Sequence, residues 1–171
     1  MTLLAGKRLT LRPVDETDSD TVVRWRNSDE ARAAFWCTDV VTPDTHKAFL
    51  ANRRPHEFVW MALEGHNRVG MGALTVDVQA CQAEWGKIFI DANFRRGGYG
   101  REMVTAALKY AFATLNLRRV WIEAWQDNTA ILDLYKRLGF AYCTPEPGIE
   151  RRARPTTFME LTREMWKGAQ A

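Results

Sequence analysis

Cysteine is scarce in this sequence. Cys37, Cys81 and Cys143 are odd in number, widely spaced and form no Cys-x-x-Cys pair. That argues against a disulfide framework and against a metal site, and for free thiols in a reducing compartment. No apolar run is long enough to span a bilayer, and the first residues carry no signal-like apolar stretch, so a soluble cytoplasmic protein with no membrane partner is expected. Charge of one sign is also in short supply. The net charge is +3, and the densest basic group is Arg151, Arg152 and Arg154, with Arg95 and Arg96 as a smaller pair. This suits an anionic ligand and falls short of a nucleic-acid-binding composition. His46, His56 and His66 fall in an expected helix, loop and turn, where solvated side chains are expected, and no Ser-His-Asp or metal-ligand spacing emerges. Repeats, low-complexity tracts and Gly/Ser linkers are absent, so residues 1–171 read as one domain.

Tryptophan, by contrast, is abundant: Trp25, Trp36, Trp60, Trp85, Trp121, Trp125 and Trp166. A chain of this size rarely needs so many for packing alone, so one or two are expected to line a ligand pocket. Alternation of polar and apolar residues predicts a first strand at 7–12, ended by Pro13. A helix follows over 15–27, and Thr42-Pro43 reads as an N-cap with proline at the first helical position of a second helix reaching about residue 54. Strands are expected at 58–63, 68–76 and 83–91, the first two joined by a hairpin-like turn at 64–67. A helix over 101–115, a strand at 119–124, a helix over 128–138 stopped by Gly139, and strands at 140–144 and 157–162 complete the order. Pro145, Pro147 and Pro155 bracket the loop between the last two strands. The result is an α/β chain with an antiparallel first half and a parallel pair made by the crossover through 83–124.

The segment Arg95-Arg96-Gly97-Gly98-Tyr99-Gly100 follows a strand and opens a helix. Glycines let the backbone turn tightly and gather N–H groups, the helix dipole adds positive potential, and the arginines add charge-assisted hydrogen bonds. Together these make an anion site suited to a pyrophosphate. An ordinary Gly-rich turn is the other reading of the glycines alone.

The segment is similar to the acetyl-CoA-binding motif Arg/Gln-x-x-Gly-x-Gly/Ala of the GNAT N-acetyltransferases, with Arg95, Gly98 and Gly100 in the three defined positions. The residues before it, Ile90 to Phe94, resemble that family's strand end and loop, although Ala92 stands where proline is common. A second signature, Asn then Leu-Tyr-x-x-x-Gly-Phe, is met by Asn128, Leu134, Tyr135, Gly139 and Phe140. The element order resembles the GNAT fold, which implies a mixed, mostly antiparallel sheet of about seven strands flanked by helices, with the parallel pair at the cofactor site.

The resemblance implies roles. Backbone groups at Phe89 and Ile90 would hold the pantetheine arm, and an N–H there would stabilise the developing oxyanion. Residues 95–100, that is Arg95, Arg96, Gly97, Gly98, Tyr99 and Gly100, would hold the pyrophosphate of acetyl-CoA, and Asn128 would touch the cofactor arm. Tyr135 would protonate the leaving thiolate, as a phenol within hydrogen-bond reach can do. Core packing with Ile131 and Leu138 is its alternative. A primary amine with a pKa near ~8 to ~10.4 arrives mostly protonated, so a base is needed. Glu84 is the candidate, in Ala83-Glu84-Trp85-Gly86, which resembles the Glu-x-Gly of several branches. By strand alternation it shares a face with Ile88 and Ile90, where burial would raise its pKa. A salt bridge to an arginine of the 151–154 group is its alternative.

Two branches fit Leu9-Thr10-Leu11-Arg12-Pro13 together with Trp25-Arg26-Asn27. One acetylates N-terminal α-amines of ribosomal proteins. The other acetylates small molecules, including nucleotide-linked amino sugars. Ile131 and Tyr135 lean toward the small molecule: an amino sugar, a nucleotide-linked amino sugar, an aminoglycoside-like compound or an aminoacyl metabolite. Trp25, Arg26 and Asn27 are thus candidate acceptor contacts, with Trp36, Trp60 and Trp125 as stacking candidates. Each tryptophan has core packing as its alternative, and Arg26 a surface pair with Asp29 or Glu30. A non-catalytic acetyl-CoA sensor is the remote reading. Many members of the family dimerise, and the last strand or exposed tryptophans would offer the surface.

Overall fold

The computed structural model describes residues 3–145 and 152–168. Arg151 and Pro147 lie outside the described residues. Eight strands form one sheet: β1 (Leu4–Ala5), β2 (Thr10–Pro13), β3 (Glu57–Glu64), β4 (Asn67–Asp77), β5 (Gln82–Ile90), β6 (Arg119–Trp125), β7 (Ala141–Cys143) and β8 (Thr156–Thr162). Their spatial order is β1-β2-β3-β4-β5-β6-β8-β7. Among the described residues only β5 and β6 pair in parallel. The helices are α1 (Ser19–Arg26), α2 (Asp29–Ala34), α3 (Pro43–Ala51), α4 (Tyr99–Lys109), α5 (Thr129–Arg137) and α6 (Arg163–Gly168). The elements added to the expected order are β1, α2 and α6. All three are short, and periodicity is weak over so few residues. A π-helical turn, Tyr110–Thr114, continues α4.

Local chemistry explains the boundaries. Thr42 caps α3 through a reciprocal bond with Thr45, and Pro43 opens the helix. Asn128 caps α5, and Gly139 follows it at φ 92°. The sheet buries both faces. On one, Trp60, Leu74, Trp85, Val120, Ile122 and Leu161 pack with α4 and α5 residues such as Met103, Val104 and Tyr135. On the other, Val59, Met61, Met71, Ala73 and Phe89 pack with Val22, Trp25 and Ala31 of α1 and α2. Each fully buried large side chain contributes roughly 1.5–3 kcal/mol.

Asp18 ties the N-terminal helices to the sheet. It is fully buried, accepts two 2.7 Å bonds from Arg12 and a third of 2.7 Å from Arg68. Burial alone would raise its pKa, but the two guanidinium groups hold it below the usual carboxylate range. His46 of α3 packs nearby. It is buried rather than solvated as expected from sequence, because the helix face that α3 turns to α1 carries it inward. Its Nδ1 pairs with the Ser19 hydroxyl at 2.9 Å, and its Nε2 has no partner.

Two expectations about association are corrected. β8 lies between β6 and β7, so it offers no free edge, and none of the seven tryptophans is exposed. A two-residue β1 and a three-residue β7 close the sheet instead.

Burial lowers the His46 pKa from its ordinary 6.5, with the Asp18 charge opposing. The unfolded chain therefore takes up this proton more readily than the folded one. Stability contributed by neutral His46 is present above pH 6.5 and is lost as pH falls below it toward the lower folded value. His46→Asn keeps a hydrogen-bond partner for Ser19 and removes the titration. Its urea midpoint is expected to fall less between pH 7.5 and pH 5.5 than that of the wild type; an equal fall in both would assign the pH dependence to other groups.

Candidate active site

The site begins with an irregularity in β5. Met71 pairs with Phe89 and Ala73 with Gly86, so Gly72 faces two residues, Lys87 and Ile88. This is a β-bulge, and Lys87 enters the left-handed region at φ 52°. For a residue with a side chain this costs on the order of 1 kcal/mol. The Lys87 ammonium pairs with Glu57 and lies 4.9 Å from the Phe49 ring centroid, which helps hold the bulge. The bulge also corrects the expected alternation. Glu84 lies in the row Glu57, Thr75, Glu84 and Trp121 across β3, β4, β5 and β6. Beyond the bulge it is Phe89 that joins the α1 and α2 side, while Ile88 and Ile90 pack with the α4 and α5 core.

β5 and β6 pair only at Gln82–Arg119, Ala83–Val120 and Glu84–Trp121, and then part. The edge of β5 over residues 86–90 that faces β6 therefore carries no ladder. A cavity of about 530 Å³ opens at the fork. Because the sheet is split there, the cavity draws its lining from both faces. Glu84, Glu123 and Trp125 reach it from one side, and Trp85, Ile88, Asn128, Ile131 and Tyr135 from the other. Phe35, Trp36 and Phe49 wall it from the N-terminal half.

The electrostatics single out Glu84. Among the described residues its carboxylate has no hydrogen-bond or ion-pair partner. Burial, and then the Glu123 charge, raise its pKa, with Lys87, Arg152 and Arg54 opposing. Of the arginines open to Glu84 from sequence, Arg152 bonds the Glu123 carboxylate at 3.0 Å and lies 5.0 Å from the Trp36 ring, Arg154 pairs with Asp127, and Arg151 lies outside the described residues. Tyr135 is 2% exposed and packs on Phe140 at 5.1 Å. Burial keeps it protonated by pushing its pKa well above the ordinary phenol value, opposed by the nearby Trp85 indole N–H. That indole nitrogen is buried and makes no well-formed hydrogen bond.

The Gly-rich segment forms the far side of the site. Gly98 sits at φ 82° as the N-cap of α4, a conformation glycine adopts without penalty. It supplies no side-chain cap, whereas Ser28, Thr42 and Asn128 cap α2, α3 and α5. The first N–H groups of α4 are therefore left for an anion. Arg8 stacks 4.1 Å over Tyr99 and donates to the Gly97 carbonyl at 2.9 Å, while the Tyr99 hydroxyl donates to Glu64 at 2.8 Å. Tyr99 thus braces the turn. Arg96 is exposed at φ 62° beside it. Arg95 donates to the Ile90 carbonyl at 3.0 Å and pairs with Glu30 at 2.8 Å. An extended fork edge leading to an uncapped helix start fits a long thioester cosubstrate ending in phosphates.

The remaining sequence candidates divide. Trp36 and Trp125 meet edge to face at 4.2 Å and both line the cavity. Trp60 does not: it is fully buried against Phe58 and Tyr110. Trp25 is buried against Phe89, its indole donating to Asp91 at 2.7 Å. Asn27 clamps the Val41 backbone with bonds of 2.7 and 2.8 Å. Arg26 stacks 4.1 Å over Phe35, without pairing to Asp29 or Glu30, and so props a cavity wall. The Asn128 side chain lines the cavity while capping α5 through the Ile131 N–H. Glu123, Arg54, Lys87, Phe35 and Phe49 line the cavity too and were not singled out from sequence. The signal for Glu123 was present: a carboxylate inside the apolar run of β6, the same feature that marks Glu84.

Residues 8–141 match the family described as the acetyltransferase (GNAT) domain. Among solved structures, the fold is similar to spermidine N-acetyltransferase from Vibrio cholerae, crystallised with CoA and spermine. That match has a TM-score of 0.82 and 20% identity, covering 94% of this chain and 98% of that one. It is also similar to a GCN5-related N-acetyltransferase from Brucella melitensis, with a TM-score of 0.79 and 17% identity, covering 97% and 80%. A dodecameric structure of the Vibrio cholerae enzyme matches with a TM-score of 0.74 and 19% identity, covering 96% and 99%. With its forked parallel pair and uncapped α4, the chain belongs to the GNAT acetyltransferase family, whose cosubstrate is acetyl-CoA.

Proposed function

We propose that this chain is one catalytic domain that acetylates the primary amine of a small molecule, by direct transfer with both substrates bound. The observation that carries the reading is that Glu84 and Tyr135, from opposite faces of the sheet, line one cavity at the β5–β6 fork. Acetyl-CoA supplies a thioester whose carbonyl carbon the amine attacks, forming the C–N bond as the C–S bond breaks. Glu84 takes the proton from the incoming ammonium, directly or through a water, and its raised pKa brings it nearer the working pH. Tyr135 delivers a proton to the departing sulfur, and burial keeps that proton on the phenol until then. The β6-facing edge at Phe89 and Ile90 receives the pantetheine arm. Arg95, Arg96, Gly97, Gly98 and Gly100 receive the phosphates, Tyr99 positions that turn, and Asn128 borders the arm. Trp36 and Trp125 bound the acceptor.

The walls contributed by Phe35, Trp36 and Phe49 favour a compact acceptor over a peptide N-terminus, which needs an open groove. The Vibrio cholerae neighbour, crystallised with spermine, supports a small amine as acceptor. Two proton-transfer groups on one cavity argue against a sensor without turnover.

Thiol release with acetyl-CoA and panels of amino sugars, other small amines and short peptides tests this. Tyr135→Phe is expected to lower kcat, and Glu84→Gln kcat/KM, each by about 100-fold, with acetyl-CoA binding retained in calorimetry. Turnover on peptides alone would transfer the protein to N-terminal acetylation, and unchanged rates in both variants would remove their assigned roles.

The pH profile separates Glu84 from other groups. Glu123 raises the Glu84 pKa, and Arg152 lowers it. Glu123→Gln removes the first charge and frees the second, and both changes act in one direction. The acidic limb of kcat/KM is expected to move to lower pH in this variant. A limb that stays in place would mean that it reports a different group.

A further inference from the structure

The charges around the cavity are arranged in an uneven way. Among the described residues, six charged side chains line it: Arg54, Glu57, Glu84, Lys87, Glu123 and Arg152. Lys87 is paired with Glu57, and Arg152 with Glu123. Two groups are left over, one of each sign. Among the described residues neither the Glu84 carboxylate nor the Arg54 guanidinium has a hydrogen-bond or ion-pair partner. The two are near enough for Arg54 to act on the Glu84 charge. Phe35, Trp36, Phe49 and Trp125 line the same cavity, apolar walls that neutralise nothing.

Resting on the small-amine reading above, we propose that the acceptor is an amine that also carries an anionic group, a carboxylate or phosphate, with the amine at Glu84 and the anion at Arg54. A guanidinium is suited to either oxyanion, because its planar fork can donate two parallel hydrogen bonds. A polyamine would bring a second ammonium against Arg54 with no further unpaired carboxylate among the described lining residues to receive it, a like-charge contact that selects against such acceptors. The specificity of this chain therefore differs from that named for the spermidine N-acetyltransferase neighbour. Arg54 follows α3 in the loop before β3 and is exposed, so substitution there tests recognition rather than folding.

The experiment uses matched acceptors with acetyl-CoA and thiol release as the readout. One series is 4-aminobutyrate, 4-aminobutanamide and 1,4-diaminobutane. The second is phenylalanine and phenylalaninamide, with phosphoethanolamine and spermidine run beside them. The carboxylate or phosphate members are expected to exceed their neutral or cationic counterparts in kcat/KM by about tenfold or more, as one charge-assisted contact provides. In Arg54→Gln that ratio is expected to fall to near one, and in Arg54→Glu the diamine is expected to lead. Turnover with no charge preference, with spermidine or the diamine preferred in the wild type, or with a preference untouched by Arg54→Gln overturns this proposal and leaves the small-amine reading standing. No turnover on any member, with acetyl-CoA bound in calorimetry, overturns both.

Discussion

The parting of β5 from β6 is the constraint on which the rest of the site depends. A parallel pair normally runs on until a strand ends, because each unmade ladder bond in a dry interior is costly. Here pairing stops after Glu84–Trp121, although β5 runs on to Ile90 and β6 to Trp125. The bulge at Lys87 supplies the reason, since an extra residue on one strand bends it and increases its local twist. The unpaired edge is tolerable because it faces a cavity, where a ligand or water can take the bonds. The close approach of the Trp85 ring to Gly72 reinforces the arrangement. A Cβ at residue 72 would come within 2.4 Å of that ring, so only glycine lets β4 lie under the bulge.

The same split decides the electrostatics. In an unbroken sheet, Glu84 and Tyr135 would be insulated from each other by the backbone layer. At the fork they line one space. Pairing then occupies the other carboxylates: Glu57 is taken by Lys87 and Glu123 by Arg152. What remains is a half-buried carboxylate next to a fixed negative charge, a combination that disfavours ionisation. The pair contacts are also geometric supports. Arg152 lies over Trp36, and Arg154 over Trp125 at 4.4 Å, so the closing segment of the chain braces the aromatic wall.

The phosphate side is built by a different rule. Its backbone donors come from a helix start that glycine leaves uncapped, and the side chains around it mostly hold the turn in place. Tyr99 is tied to Glu64 and Arg8, and Glu102 accepts from the backbone of Arg8 and Leu9. The connection between β1 and β2 thereby braces the start of α4. Arg95, through Glu30, links the turn to α2, whose C-terminal end leads into Phe35 and Trp36. The two substrate sides therefore share a short mechanical path.

The sequence alone determined the elements whose signals are local. The capping of α3 by Thr42, the Gly65–His66 hairpin, the α5 boundaries at Asn128 and Gly139, and the Gly-rich start of α4 all follow from bonds made within a few residues. The spacing of Arg95, Gly98, Gly100, Asn128 and Tyr135 was likewise enough to carry the resemblance to the family, and Glu84 stood out as a carboxylate in an apolar strand. Tertiary structure decided what depends on partners far along the chain. The bulge inverted the face of Ile88 and Ile90, because strand alternation holds only while the register does. His46 went inside because α3 packs on α1, and Trp60 became core because α4 and its π-helical turn cover it. Which glutamate stays unpaired was decided by Lys87 and Arg152, residues that no local pattern connects to Glu57 or Glu123.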